Sequence, residues 1–274
     1  MVIDRLDDDD SSADGVAEVE RKGASGDGLR REAIAGEVRD RAAYHAELRV
    51  AVTAEYEDVR GAREDGGWRG DGNRCLDGVA NAAVDRGCQR IREVEESVLS
   101  PAMRRLEGED PGRELAGFEH RLKGADRIKE KVAMDMLEKG DSAEQALAGV
   151  PDAVRYTFRY GEQRYADQVG ADLKRLRAEG FELIKVKNSW ASDQYRGINT
   201  QWREPGTGQR FEVQFHTGAS LDAKQSTHGA YERLRSPGVS DDEARELRRF
   251  QRRICQQVPV PPGAAGIPDY PEGA

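Results

Sequence analysis

The run Tyr195-Arg-Gly-Ile-Asn-Thr-Gln-Trp202, a Pro-Gly-Thr-Gly turn and Phe211-Glu-Val-Gln-Phe-His-Thr217 leave this chain few folding options. Apolar and polar residues alternate in both arms, and Gly206 and Gly208 stand where a turn calls for positive φ, so the segment reads as a β-hairpin. Period-2 alternation puts Glu212, Gln214 and His216 on one face of the second arm and Phe211, Val213 and Phe215 on the other. A merely solvated face carries Lys, Thr or Glu in no special order. A carboxylate, an amide and an imidazole in line mark a candidate site.

The elements around the hairpin suit an α+β domain with helices over a mixed sheet. Glu114–Leu137 has helical spacing, and Ser142 with Gln145 forms a capping box that opens a short helix. Val150–Tyr160 is β-branched and aromatic and reads as a strand. Tyr165–Glu179 is an amphipathic helix ended by Gly180, and Phe181–Lys187 is a strand followed by a loop over Asn188–Gln194. After the hairpin come a helix over Lys224–Leu234 and another capped by Ser240, running to about Gln257. The order expected from residue 114 is therefore α-α-β-α-β-β-β-α-α.

Upstream, residues 1–27 are Asp-, Ser- and Gly-rich and read as a disordered acidic tail. Residues 28–110 read as a helical region. One helix is expected over Leu29–Ala62, broken by glycines at 61, 66, 67, 70 and 72. A second is expected over Asn73–Leu106, with Leu76, Val79, Ala83, Ile91, Val94 and Val98 on one stripe and Pro101 as a kink or stop. These two helices offer no chemistry of their own. Residues 111–258 then form the α+β domain, and 259–274, rich in Pro and Gly, an extended or disordered tail.

The bulk numbers exclude several classes. Net charge is −9 with 35 % charged residues, and mean hydropathy is −0.81, which argues against a nucleic-acid coat or a membrane binder. The balance is uneven, however. Residues 119–135 hold two Arg, three Lys and one His, a basic patch that suits a compact polyanion such as a nucleotide as well as it suits a solvated helix face. Cys75, Cys88 and Cys255 form neither a CxxC pair nor zinc spacing. The first two would lie about 20 Å apart in a single helix, too far to bridge. No apolar run approaches the ~20 residues that span a bilayer. The first ten residues lack the basic and apolar regions of a signal peptide, and the compartment, cytoplasmic or exported, stays open.

The sequence holds no GxxxxGK[ST] loop, GxGxxG, HExxH or GxSxG. Phosphate chemistry here needs another scaffold. A strand-edge aspartate, a glutamate on a neighbouring strand and an upstream basic segment supply one: two carboxylates hold Mg²⁺ while Arg and Lys neutralise a triphosphate.

Five segments follow one another in an order that resembles a known family: Arg121-Leu-Lys-Gly-Ala-Asp-Arg-Ile-Lys-Glu-Lys131, Asp152-Ala-Val-Arg155, Lys187, Tyr195-Arg-Gly-Ile-Asn199 and Glu212-Val-Gln-Phe-His-Thr217. Together they look like the synthetase domain of the RelA/SpoT alarmone enzymes. They look closer still to the secreted ATP nucleotide 3′-pyrophosphokinases of actinomycetes. The likeness covers roughly residues 115–235. It implies a nucleotidyltransferase-like fold and transfer of the β,γ-pyrophosphate of ATP to the 3′-hydroxyl of a purine nucleotide, making (p)ppNpp and AMP.

Position by position, the resemblance implies that Arg121, Lys123 and Lys131 grip the ATP phosphates from a basic helix, with Arg155 and Lys187 assisting. Asp152 matches a strand-edge Mg²⁺ ligand. Period 2 does not place Arg155 on the Asp152 face without a bulge. Glu212 matches the second catalytic carboxylate, either a Mg²⁺ ligand or the group that activates the 3′-hydroxyl. Tyr195 matches a tyrosine that stacks on the acceptor base, and Asn199, Gln214 and His216 fall where acceptor contacts are expected. His228, Tyr231 and Glu232 resemble an H-x-x-Y-E element. Departures include Arg127, where many members have Ser, a missing Gly between Asp152 and Arg155, Asn199 in place of His and His216 in place of Arg. The last two leave the acceptor open between adenine and guanine. No His-Asp dipeptide occurs, so a metal-dependent hydrolase half is not expected.

Two other readings compete. The same fold could move pyrophosphate onto the 3′ end of tRNA as a toxin, which the net charge of −9 disfavours because RNA docking needs an extended basic face. Or the pocket could sense nucleotides without turnover.

Overall fold

The computed structural model describes residues 61–236 and 238–271. The acidic tail, the helix expected from Leu29 (all but its last two residues) and the end of the C-terminal tail lie outside the described residues. The glycine cluster that was expected only to break a helix builds three two-residue strands, β1 (Gly61–Ala62), β2 (Trp68–Arg69) and β3 (Cys75–Leu76), paired antiparallel in sequence order. Cys75 is therefore on a strand and not in a helix with Cys88. All three cysteines are free thiols.

Helix α1 (Gly78–Val94) starts where the Asp77 side chain accepts the Ala80 N–H at 2.7 Å, five residues later than the periodicity predicts. That start sets a different phase. Ala80, Ala83, Val84, Gly87, Cys88 and Ile91 face inward, and Val79 is 80 % exposed. Gly87 lets the helix approach its neighbour: a Cβ there would sit 2.1 Å from Leu147 Cδ2. A π-helical turn, Glu95–Leu99, then leads into α2 (Ser100–Gly108). The wider turn moves the stripe on by a residue, so Leu99 is buried and Val98 is not. Pro101 does not end the helix, because it stands at the first turn of α2, where a missing N–H costs least.

The helix expected over 114–137 divides. Arg113–Leu115 forms β4, antiparallel to β5. A 3₁₀ turn at Phe118–His120 follows, and α3 occupies only Ala125–Lys139. Arg121 and Lys123 thus lie in an extended connection before the helix, paired to the chain entering β5: Arg155 N–H donates to Arg121 O at 2.7 Å, and Lys123 N–H to Ala153 O at 3.0 Å. The Ser142–Gln145 capping box opens α4 (Ala143–Ala148) as expected. The expected strand over Val150–Tyr160 begins late. Pro151–Ala153 is a 3₁₀ turn, and β5 is Arg155–Tyr160.

α5 (Tyr165–Ala178), β6 (Glu182–Asn188), β7 (Ile198–Arg203), β8 (Arg210–Thr217), α6 (Gly218–Leu234) and α7 (Asp241–Gln256) complete the order. The main sheet runs β4-β5-β8-β7-β6, with β5 and β8 parallel and all other pairs antiparallel. This is a mixed sheet flanked by helices, as the patterning implied. β8 is central and buried almost throughout. One sheet face is apolar. Phe158 and Tyr160 stack on Phe215 at 6.3 and 6.2 Å, and Phe181 meets Phe211 edge-on at 5.0 Å. Each buried ring contributes about 1.5–3 kcal/mol by leaving water, which holds the strand register that sets the opposite, polar face.

The Pro/Gly tail is held along edge strand β6. Asn188 Nδ2 donates to Ala264 O and Ile267 O, each at 2.8 Å, and Tyr270 pairs with Val186. That pairing covers part of an otherwise open edge.

Candidate active site

Parallel pairing of β5 with β8 sets Arg155 opposite Glu212 and Thr157 opposite Gln214, while β7 sets Gln201 opposite Glu212 and Asn199 opposite Gln214. β6 extends the same two rows with Lys185 and Lys187. Residues paired across a ladder share a face. The polar face therefore carries Arg155–Glu212–Gln201–Lys185 and, one step along, Thr157–Gln214–Asn199–Lys187.

Asp152 joins this face from outside the sheet. It stands in the 3₁₀ turn before β5, so the strand periodicity that separated it from Arg155 does not apply. Arg155 bridges the two carboxylates, donating from Nη2 to Asp152 Oδ2 at 3.1 Å and from Nε to Glu212 Oε1 at 3.0 Å. Lys123 also pairs with Asp152 Oδ2, and Lys131 Nζ lies 3.2 Å from Oδ1. Burial raises the Asp152 carboxyl, but the cations, Lys123 foremost, outweigh it and hold the group well below the usual carboxylate range. Burial in turn lowers the Lys123 ammonium despite its carboxylate partner. Helix α3 begins beside this cluster at Gly124 with no side-chain cap, leaving amide donors and the positive helix end toward it. Three of the five cations that sequence reasoning assigned to phosphates, Lys123, Lys131 and Arg155, are thus gathered at one carboxylate. Lys187 is exposed on β6, paired with Asn199 across the ladder, and is not among the cations at Asp152.

Arg121 does something the sequence did not indicate. It donates to Glu95 through Nε at 2.7 Å and Nη2 at 3.2 Å, and its guanidinium lies 4.2 Å from the centre of the Phe118 ring. Glu95 is fully buried in the π turn and also receives the Ser100 and Tyr156 hydroxyls. Burial raises its carboxyl, and Arg121, Ser100 and Tyr156 together outweigh that and hold it low. The N-terminal helices therefore supply the anchor of a site residue. Glu95 lies four residues after Ile91 on the buried stripe of the helix, but a carboxylate there gives no apolar signal for sequence reasoning to find.

A second network surrounds Tyr195, where the resemblance implied acceptor contacts. The Tyr195 hydroxyl donates its one proton to Asn199 Oδ1 at 2.7 Å, so it accepts from His216 Nε2 at 2.9 Å. His216 Nδ1 is left to accept from Ser220 Oγ at 2.9 Å. Ser220 is itself fixed by the Thr217 capping box of α6. His216 is fully buried, and it stands behind Tyr195 and holds it. Gly197, at φ +152°, allows this packing, since a Cβ there would lie 2.7 Å from His216 Cε1. Tyr195 is half-buried, and His216 meets its ring edge-on at 84°, which leaves the ring face for another partner. His228 and Glu232 pair at 3.3 Å, Glu232 also takes Arg127, and Tyr231 is exposed; the H-x-x-Y-E element links α6 to α3.

Burial, then the charge of Lys224, lowers His216 to about 3 from the usual 6.5. Between these values the unfolded chain takes up a proton that the fold excludes. The stability that His216 contributes is complete above about 6.5 and is lost as pH falls toward 3, by up to ~1.4 kcal/mol per pH unit. Urea unfolding between pH 5 and 7 is expected to show this slope in the wild type and a shallower one in His216→Gln. Parallel curves would contradict the assignment.

No protein-family model and no curated protein matches the chain. Solved structures do resemble it. Small alarmone synthetase 1 from Bacillus subtilis is 16 % identical, covers 63 % of this chain and 90 % of its own, and superposes with a TM-score of 0.44. Small alarmone synthetase 2 from the same organism gives 16 %, 63 %, 91 % and 0.45. A GTP pyrophosphokinase family protein from Streptococcus pneumoniae gives 18 %, 65 %, 84 % and 0.38. A likeness at this level assigns neither activity nor substrate.

Asp152 and Glu212 supply two hard carboxylates joined through one guanidinium, and no third His, Cys, Asp or Glu joins them as a potential metal ligand among the described residues. That donor set fits a Mg²⁺ that draws its other oxygens from phosphates and water.

Proposed function

We propose that this protein is an ATP-dependent nucleotide 3′-pyrophosphokinase that moves the β,γ-pyrophosphate of ATP to the 3′-hydroxyl of a purine nucleotide. The observation that carries this reading is the cluster itself: Asp152 and Glu212 share Arg155, while Lys123, just before α3, and Lys131, in its second turn, close on Asp152. Each carboxylate is held by cations that a triphosphate would take over. When the phosphates arrive, Lys123, Lys131 and Arg155 exchange carboxylate for phosphate oxygen, and the two carboxylates are freed together. Mg²⁺ held by Asp152 and Glu212 would neutralise phosphate charge.

The 3′-hydroxyl oxygen then forms a bond to the β-phosphorus. The bond from that phosphorus to the α,β-bridging oxygen breaks, and AMP leaves. Glu212 Oε2, which receives no donor among the described residues, is the atom available to accept the hydroxyl proton. Tyr195 presents a ring face to the acceptor base, a contact that tolerates either purine.

The test is incubation with Mg²⁺, ATP labelled on the γ-phosphate and, in turn, AMP, ADP, GDP, GTP and bulk tRNA. Label on a mononucleotide with AMP release supports the reading and names the acceptor. Label on tRNA alone, or bound ATP with no transfer, overturns it. In the same assay Tyr195→Ala is expected to raise acceptor KM by about tenfold or more, the weight of one base stack, while Tyr195→Phe keeps it. An unchanged KM in the alanine variant would remove the stacking role.

A further inference from the structure

Lys224 is a basic side chain on α6 that reaches back over the polar sheet face and ends against a neutral partner. Its Nζ donates to Gln214 Oε1, and the Gln214 Nε2 donates to Glu212 Oε1. The far side of Glu212 Oε1 takes Arg155 Nε at 3.0 Å. Gln214 is buried on the central strand, one residue in from Val213, whose side chain belongs to the apolar face. An amide has one accepting end and one donating end. With an ammonium on one side and a carboxylate on the other, only one orientation is stable. The reverse would set the NH₂ against the ammonium and the C=O against the carboxylate, two like-polarity contacts in a site shielded from water.

We propose that Lys224 is a positioning residue: it locks the Gln214 amide in one orientation and, through it, holds the Glu212 carboxylate ready to accept the acceptor's 3′-hydroxyl proton. The inference rests on the pyrophosphokinase reading and adds a residue to its machinery. Gln214 stays on Oε1 when Arg155 passes to phosphate, so the carboxylate keeps its orientation and Oε2 is the oxygen presented. Half-burying the lysine here lowers its ammonium to about 8, burial acting first and the Arg155 charge second. Such a position costs folding stability. A chain under no functional demand would put Met or Leu there.

The experiment compares Lys224→Met, Lys224→Arg, Gln214→Ala and the Met/Ala double variant with wild type. Turnover is measured under saturating and limiting ATP and acceptor. Lys224→Met is expected to lower kcat about 100-fold, to leave both KM values within about threefold, and to unfold at the same or a higher temperature. Lys224→Arg, which keeps the charge, is expected to recover part of the loss. Gln214→Ala should account for most of the loss on its own, so the double variant adds little to it. Full kcat in Lys224→Met, a loss carried by acceptor KM, or losses that multiply in the double variant would each overturn the proposal.

The Gln214 side-chain amide resonances report the same device without turnover. They should be a single slowly exchanging pair in wild type and become mobile in Lys224→Met. Unchanged resonances would overturn the proposal even if one variant failed to fold or no acceptor were found. Absence of transfer by the wild type would instead overturn the pyrophosphokinase reading.

Discussion

Glu212→Gln is expected to lower pyrophosphoryl transfer by about 10³-fold or more with the fold unchanged, and Asp152→Asn to do the same. Gln at 212 keeps the shape of the side chain and can still offer its carbonyl to Arg155 and to the Gln214 amide. It cannot take a proton or carry charge. The expected loss combines the two roles proposed for this residue, general base and cation ligand, each worth about 10²–10⁴-fold in comparable settings. Asp152→Asn removes the one charge that holds Lys123, Lys131 and Arg155 together. Those cations then repel one another in the resting protein, and nucleotide binding is read separately: ATP should bind at least as tightly while turnover is lost. Circular dichroism and the unfolding midpoint check the fold in both variants. Activity within tenfold of wild type in either would remove that residue from the site.

The largest stability effect is expected far from the chemistry. Arg113 and Asp172 form an ion pair with neither side chain exposed, and the Tyr160 hydroxyl also donates to Asp172. Two other nitrogens of Arg113, Nε and Nη1, already lack partners. Asp172→Ala leaves a buried guanidinium and a buried hydroxyl without their acceptor, and is expected to cost about 3–5 kcal/mol. The pair ties β4 to α5, so its loss frees the strand that borders β5. Asp172→Asn, which keeps an acceptor oxygen, should cost clearly less. Chemical denaturation of the three proteins measures both differences, and equal stability of Asp172→Ala and wild type would show that the pair contributes nothing net.

Parts of the molecule were legible because their signals are local. The 195–217 hairpin was readable from alternation in both arms, and α4 and α7 from a serine followed three residues later by a partner for the cap. Alternation likewise placed Glu212, Gln214 and His216 on one face, where the structure has them. Other features depend on contacts between distant segments. β4 is three residues long and sits in a charged run with helical spacing, so nothing in it outweighs the helix pattern until β5 is there to pair with. Asp152 and Arg155 come together because the strand starts five residues later than expected, a boundary that propensity does not resolve. Glu95 follows Ile91 by four residues onto the buried stripe, yet a carboxylate gives no apolar signal, and its partners Arg121 and Tyr156 come from distant segments. His216 and Lys224 could be placed on their elements from the sequence. That one lies behind Tyr195 and the other against Gln214 follows from how α6 crosses the sheet.

The measurement that bears most directly on the central claim is the phosphorus balance of one turnover. Purified protein, Mg²⁺, ATP and the acceptor found active are followed by ³¹P NMR. The account predicts one AMP for each acceptor consumed, and a new diphosphate ester on the acceptor ribose whose two phosphorus signals come from the β and γ positions of ATP. ADP with a single transferred phosphate, or free pyrophosphate with the acceptor unchanged, would contradict it.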